Sequence, residues 1–296
     1  MKIADPNPPR HDVTATRTAI PNELRSKEAH LVAWFRARGS VLVGFSGGVD
    51  SAYLACVALE ALGADQMLAV IGRSASYPAA QWATARAVAE RFGVPVFEVD
   101  TDEMNDPRYA ANPTNRCYFC KRELWTKLAP VAAARGLATI VDGTNVDDLR
   151  DHRPGAQAAR EHAVSSPLAE LGFTKAEIRA LSHARGIPTW AQPSSPCLSS
   201  RLPYGTAVTA ERLAMVERAE AALRDLGVQG DLRVRHFGAV GKVEIARSEL
   251  GHWLAAPYRL QVEAAVRSAG FADAEVDPKG FRSGALNVLA GVPGAG

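Results

Sequence analysis

The segment Ser46-Gly47-Gly48-Val49-Asp50-Ser51 gathers groups suited to a phosphate chain. Gly47 and Gly48 let the backbone approach an anion closely. The hydroxyls of Ser46 and Ser51 add donors. A helix-forming run, Ala52-Tyr-Leu-Ala-Cys-Val-Ala-Leu-Glu, follows at once, so free N–H groups and a positive dipole end face the same spot. A carboxylate at Asp50 fits such a site if it holds a divalent metal, Mg²⁺, that the phosphates also ligate. No Gly-Lys-Ser/Thr closes the loop, so it is not a Walker A loop. A Gly-rich turn that binds nothing is the alternative.

Four cysteines are present: Cys56, Cys117, Cys120 and Cys197. Cys56 lies in the apolar helix after the loop and reads as a small buried side chain. Asn115-Arg-Cys117-Tyr-Phe-Cys120-Lys121 sets two thiols one helical turn apart, in what reads as a polar loop. The spacing suits a metal, an iron–sulfur cluster or a redox disulfide. A zinc site needs four ligands, and His152, His162 and His183 lack ligand spacing. Three thiolates suffice for a cubane cluster with one iron open. An incidental pair beside a helix is the plain alternative. Cys197 lies in a proline-bounded loop, Pro196-Cys-Leu-Ser-Ser-Arg201-Leu-Pro-Tyr-Gly205, where Arg201 would favour its thiolate. A thiolate is both a nucleophile and a sulfur source.

The elements that must carry these groups alternate. A helix over residues 22–39 leads to the apolar strand before Ser46. Strands at residues 66–72, 94–99 and 138–143 alternate with helices over about 78–92 and 121–135. This predicts an α/β fold, a parallel sheet with helices on both faces. Ligands of such sheets sit beyond the carboxyl ends of the strands. Ser46, Arg73-Ser74 and Asp142-Gly-Thr-Asn145 all fall there and should meet one nucleotide. Residues 164–205 hold a helix at 174–185 and a proline-rich loop containing Trp190, which would either stack near substrate or anchor the loop. A helix at 209–226, a hairpin at 231–246, a helix at 257–268 and a strand at 274–276 form a small α+β unit. Arg233 and Arg235 share one strand face, where two guanidiniums suit a phosphomonoester or simply face solvent. The neighbouring His236 reads as a surface residue. Asp147 and Asp148 read as caps for a helix after Pro154. The expected organisation is a tail at 1–21, the sheet domain at 22–205, the small domain at 206–280 and a second tail at 281–296.

The 296 residues are 47% hydrophobic and 22% charged, an ordinary globular balance. A net charge of +2 argues against a nucleic-acid footprint. No apolar run is long enough to span a membrane, and the first twenty residues have no apolar core of a secretion signal, so the expected compartment is the cytoplasm.

The Ser-Gly-Gly-x-Asp-Ser loop resembles the PP-loop of the ATP pyrophosphatases. Together with the Cys-Tyr-Phe-Cys-Lys string, Asp142-Gly-Thr-Asn-Val-Asp-Asp-Leu, Arg153-Pro-Gly155, Pro188-Thr-Trp190 and Cys197-Leu-Ser-Ser-Arg-Leu-Pro-Tyr-Gly205, it makes the chain similar to the LarE-type sulfur transferases from about residue 22 to 277. The resemblance implies that MgATP adenylates a carboxylate of pyridinium-3,5-biscarboxylic acid mononucleotide. Pyrophosphate leaves and sulfur replaces the activated oxygen, on the way to the nickel-pincer nucleotide. It implies ATP contacts at Ser46, Gly47, Gly48, Asp50, Ser51, Arg73 (by backbone) and Asp142. It implies substrate phosphate at Arg233 and Arg235. It implies catalysis by Cys197, Asp50 and Arg201, and a [4Fe–4S] cluster on Cys117, Cys120 and Cys197 that passes on sulfide. Other members spend their own cysteine, which ends as dehydroalanine. A homo-oligomer is also implied. One departure stands out: Ala191-Gln192 occupies the place of an expected charged pair. Competing readings are a PP-loop tRNA thiolase, an amide-forming PP-loop ligase and an adenine-nucleotide sensor.

Overall fold

The computed structural model describes residues 20–150, 154–193 and 197–291. The expected N-terminal tail up to residue 19, His152, Arg153, Pro196 and the last five residues lie outside them. Helix α1 (Asn22–Arg38) leads into β1 (Val41–Gly44), α2 (Val49–Leu62), β2 (Met67–Arg73), α3 (Ala79–Phe92) and β3 (Val96–Asp100). The short α4 (Pro107–Ala110), the long α5 (Arg116–Ala134) and β4 (Thr139–Val141) complete a parallel sheet in the order β3-β2-β1-β4.

Period-two alternation divides the sheet's residues between its two faces. Val41 and Val43 of β1, with Met67, Ala69 and Ile71 of β2, pack into the core made with α1, α2 and α3. Leu42, Leu68 and Val70 point the other way, against Trp125 and Leu128 of α5. Both faces are thus covered, and the apolar strand runs require that.

Beyond β4 come α6 (Gly155–Glu161), α7 (Pro167–Glu170) and α8 (Lys175–Ala184). A capping box opens α8, with Thr174 and Glu177 exchanging hydrogen bonds. Helix α9 (Ala210–Asp225), strands β5 (Leu232–Phe237) and β6 (Val240–Ile245), helices α10 (Arg247–Leu254) and α11 (Tyr258–Ser268), and β7 (Asp273–Val276) form the second unit. Its sheet pairs β5 with β6 antiparallel and β6 with β7 parallel. This second core reaches back across the chain: Tyr109 of α4, Leu198 and Leu202 belong to it. The cysteine-bearing loop is therefore held by both units.

Three expectations need correction. Helix α5 begins at Arg116, not near Lys121, so Cys117 and Cys120 lie on a helix rather than in a loop. Tertiary packing recruits that first turn: Phe119 and Cys120 lie against the second core, and Tyr118 against the α5 side of the sheet. The segment from residue 281 does not begin as a tail. It carries α12 (Ala285–Leu289), whose Leu286 is buried and whose Asn287 side chain accepts the Tyr204 hydroxyl at 3.0 Å. His236 is buried beside Phe271, with ring centroids 5.2 Å apart, because α9 and α11 cover the face of β5 that looked exposed.

The phosphate-type loop is tied to α3 by a close approach. Gly47 has φ +68°, and a Cβ there would lie 2.5 Å from the Cβ of Ala85. Gly47→Ala should therefore lower stability by more than about 1 kcal/mol in urea unfolding and weaken ATP binding in calorimetry.

Candidate functional site

The loop from Ser46 to Ser51 turns from β1 into α2 at the carboxyl edge of the sheet. Gly48 precedes the helix in extended conformation and offers no side-chain cap, so the first N–H groups of α2 point outward. Ser51 Oγ bonds Gly48 O at 3.1 Å and accepts from Ser46 N at 3.2 Å, which closes the turn on itself. Tyr77 and Gln81 both donate to Ser46 O at 2.9 Å. A Cβ on Gly143 would lie 3.0 Å from Ser51 N, so the segment after β4 can press on this turn only as glycine. Asp142 beside it is fixed by the Ser166 hydroxyl at 2.7 Å and by Thr144.

Asp50 is ion-paired with Lys175, the first residue of α8, and accepts from Asn145 Nδ2 at 3.3 Å. Lys175 is itself set by Asp147, whose carboxylate accepts its backbone N–H at 2.7 Å. The expected capping by Asp147 thus serves α8, not the helix after Pro154. Asp148 accepts the Asn145 N–H at 3.1 Å.

A cavity of about 450 Å³ opens beyond this loop. Ser46, Gly48, Asp50, Ser51 and Asp142 line it, and so do Cys117, Cys120 and Cys197. The phosphate-type loop and the three thiols share one chamber. Cys197 acts electrostatically on Cys117, and both act on Cys120. Cys117 and Cys120 reach the free space of the cavity, yet protein surrounds them on the other sides. That burial pushes both thiols upward from the ordinary range, with Cys197 adding to the rise at Cys117 and Glu103 at Cys120. Cys56 stands apart inside α2, where burial pushes its thiol up to about 11.

The short turn Leu198–Arg201 follows Cys197 and is tethered at each step. Leu198 N donates to Ser76 O at 2.8 Å. The hydroxyls of Ser199 and Tyr109 are 2.6 Å apart. Arg235 Nη1 donates to Ser200 O at 2.9 Å. Arg201 is 2% exposed and does not line the cavity. It forks onto Glu220 at 2.9 and 2.8 Å and donates to Cys197 O at 3.2 Å. It therefore fixes the backbone of the cysteine rather than its sulfur.

A second, smaller cavity of about 180 Å³ adjoins the second unit. Arg233, Arg235, Arg116, Ser200 and Tyr204 line it, and α12 closes one side. Both strand arginines are buried, not solvated. Arg235 pairs with Glu244 at 2.8 Å. Arg233 lies over the Phe281 ring at 5.1 Å, and burial with the nearby Arg201 charge lowers its guanidinium to about 10.

Among the residues named from sequence, Gly47 and Arg73 do not line either cavity. Gly47 shapes the turn, and Arg73 turns outward to Glu98 at 3.1 Å. Trp190 packs on His183 with centroids 4.4 Å apart, and its carbonyl accepts from Arg179, so the loop is anchored there. Gln192, from the divergent pair, lines the cavity and donates to Gln81 at 3.1 Å. Sequence reasoning missed Lys175, Arg179, Lys121, Glu103 and Arg116, all of which line the larger cavity. Only Arg116 and Lys121 carried a hint, as the neighbours of Cys117 and Cys120.

Three thiols face one chamber, the number of protein ligands in a cubane with one iron left open. Among the described residues no three His, Cys, Asp or Glu side chains converge on a single-ion position. No helix among those residues is long and apolar enough to cross a membrane.

The sheet order and the loop define a PP-loop ATP pyrophosphatase fold. The NAD synthase family matches residues 29–114. The chain is 41% identical to an uncharacterized protein of Synechocystis sp., over 89% of this chain and 98% of that one. It is 34% identical to pyridinium-3,5-bisthiocarboxylic acid mononucleotide synthase of Lactiplantibacillus plantarum, over 89% of this chain and 95% of that enzyme. A glutamine-hydrolyzing GMP synthase of Aeropyrum pernix matches at 26% over 72% of this chain and 44% of its own length. The chain belongs to the LarE-type family of pyridinium-3,5-bisthiocarboxylic acid mononucleotide synthases, a family of enzymes.

The Arg201–Glu220 pair makes a measurable claim. Glu220→Ala strands a buried guanidinium, and stability should fall by about 3–5 kcal/mol in urea unfolding. A change within 0.5 kcal/mol would show that the pair does not hold the cysteine turn.

Proposed function

We propose that this chain is an ATP-dependent sulfur transferase that converts a carboxylate of a pyridinium mononucleotide to a thiocarboxylate. The observation that carries the reading is the single chamber lined by both the Ser46–Ser51 turn and the thiols of Cys117, Cys120 and Cys197. The name of the Lactiplantibacillus plantarum relative supplies the substrate class: a pyridinium mononucleotide bearing two carboxyl-derived groups.

The chemistry has two steps. A substrate carboxylate oxygen attacks the α-phosphorus of ATP, and pyrophosphate leaves. A sulfur nucleophile then attacks the acyl carbon, and AMP leaves with the former carboxylate oxygen. In this reading the turn and the N-terminus of α2 hold the phosphates. Asp50 holds the Mg²⁺ that accompanies ATP, and Lys175 exchanges its carboxylate partner for phosphate. Asp142 and the backbone at Arg73 contribute to the nucleotide side. Arg233 and Arg235 hold the substrate phosphate in the smaller cavity. Arg201 acts by positioning Cys197.

Cys197 has two ways to serve. Its thiolate attacks the adenylate, and elimination of the Cβ–Sγ bond with loss of the α-proton releases thiocarboxylate and leaves dehydroalanine. Alternatively Cys117, Cys120 and Cys197 would hold a [4Fe–4S] cluster, which would supply an open iron position for sulfide. The family likeness extends the proposal to a homo-oligomer. Chemistry that needs free thiols or a cluster suits the reducing cytoplasm.

Two variants separate the steps. Asp50→Ala should abolish substrate-dependent pyrophosphate release while far-UV dichroism is unchanged. Cys197→Ala should keep pyrophosphate release and lose thiocarboxylate. The mass of the spent wild-type protein then decides between the two modes. A loss of about 34 Da, one H₂S, at Cys197 marks sacrifice. An unchanged mass with several turnovers on added sulfide marks the cluster. Thiocarboxylate formed by Cys197→Ala at the wild-type rate would contradict both.

A further inference from the structure

Arg116 is a buried cation whose job the fold does not explain. Its side chain is 4% exposed, and it is the first residue of α5, directly before Cys117. Buried guanidiniums are normally paired, because an isolated charge in low dielectric is costly. Two other deeply buried arginines follow that rule: Arg201 has Glu220 and Arg235 has Glu244. Among the described residues Arg116 makes no ion pair with a carboxylate. Its Nη1 donates to the neutral side chain of Asn112, and it sits over the Tyr204 ring at 5.6 Å. The ionisable groups that act on it most strongly are the thiols of Cys197 and Cys117 and the phenols of Tyr109 and Tyr204.

Its location is equally particular. Arg116 lines the larger cavity, with the thiols and the phosphate-type turn, and also the smaller one, with Arg233 and Arg235. It stands where the two cavities meet. A mononucleotide whose phosphate lies by Arg233 and Arg235 must pass its ring across this junction to present a carboxylate to ATP and sulfur. Asn112 steadies the guanidinium from behind and is itself locked, donating to Pro203 O at 2.7 Å and Thr206 O at 2.8 Å. A planar guanidinium fork that lines both cavities matches a carboxylate edge-on.

We propose that Arg116 is the residue that recognises the substrate's ring carboxylate, holding it at the junction of the two cavities beside Cys197. The proposal rests on the sulfur-transferase reading above. It makes Arg116 a specificity-determining residue for a carboxylate, distinct from the residues that hold phosphate.

Two probes isolate the carboxylate. Nicotinate mononucleotide and nicotinamide mononucleotide carry the same ring, ribose and phosphate, and differ by carboxylate against amide. Calorimetric titration of the full chain, purified anaerobically, should give wild type a preference of about ten-fold or more for the nicotinate form, the size of one charge-assisted hydrogen bond. Arg116→Gln should bring the ratio close to one by weakening the nicotinate form alone. Arg116→Lys should keep part of the preference, and this checks that the loss is not a folding defect. Arg233→Gln should weaken both mononucleotides alike. If wild type discriminates and Arg116→Gln discriminates as well, the assignment of Arg116 falls and the sulfur-transferase reading stands. If Arg116→Gln weakens both forms equally, Arg116 is a phosphate or structural contact and the assignment also falls. If wild type binds neither form, the substrate reading fails and takes Arg116 with it.

Discussion

The carboxylate of Glu220 joins the two halves of the molecule. One oxygen accepts from Arg201 Nε at 2.9 Å and from Val234 N at 3.0 Å, and the other accepts from Arg201 Nη2 at 2.8 Å. Helix α9, strand β5 and the cysteine-bearing turn are thereby pinned at one point. The pair is largely out of water, so it is held by full complementarity rather than by loose surface attraction. Arg235 adds a second strap from the same strand to Ser200. These buried charges hold the backbone of the turn after Cys197, which has only four residues of regular structure of its own.

The chamber pairs its acid Asp50 with a fixed cation. Asp50 would repel a triphosphate, yet Lys175 neutralises it, and Asp147 fixes the backbone from which Lys175 extends. Lys121, Arg116 and Arg179 line the same walls. Asp142, Asp148 and Glu103 line them too, so the walls carry charges of both signs. The thiols occupy the opposite requirement. Cys117 and Cys120 are crowded by protein, which disfavours their ionised form.

Much of this was legible in the sequence where local rules govern. The β-branched run before Ser46 and its repeats gave a parallel sheet, and both faces of β1 are buried as such a run demands. The turn, the nearby Asp142 and the cysteine strings declared themselves by residue type. What the sequence hid is set by contacts between distant segments. The first turn of α5 is helical because Tyr118 and Phe119 find two different cores. His236 is buried because α9 and α11 cover its strand. Arg201 looked like a partner for a thiolate four residues away, but its fork matched a glutamate nineteen residues on. Lys175 and Arg116 carry no motif of their own and become visible only when the cavities they line are known.

The central claim is that the chamber activates a carboxylate as its adenylate and then replaces one oxygen with sulfur. Carboxylate oxygens labelled with ¹⁸O follow both steps in one measurement. The account predicts that each thiocarboxylate formed is matched by one AMP carrying a single ¹⁸O on its phosphate, with unlabelled pyrophosphate released. Label in inorganic phosphate, with ADP as the nucleotide product, would contradict it, because the carboxylate would then have been activated at the γ-phosphorus and the turn at Ser46 would serve a different reaction.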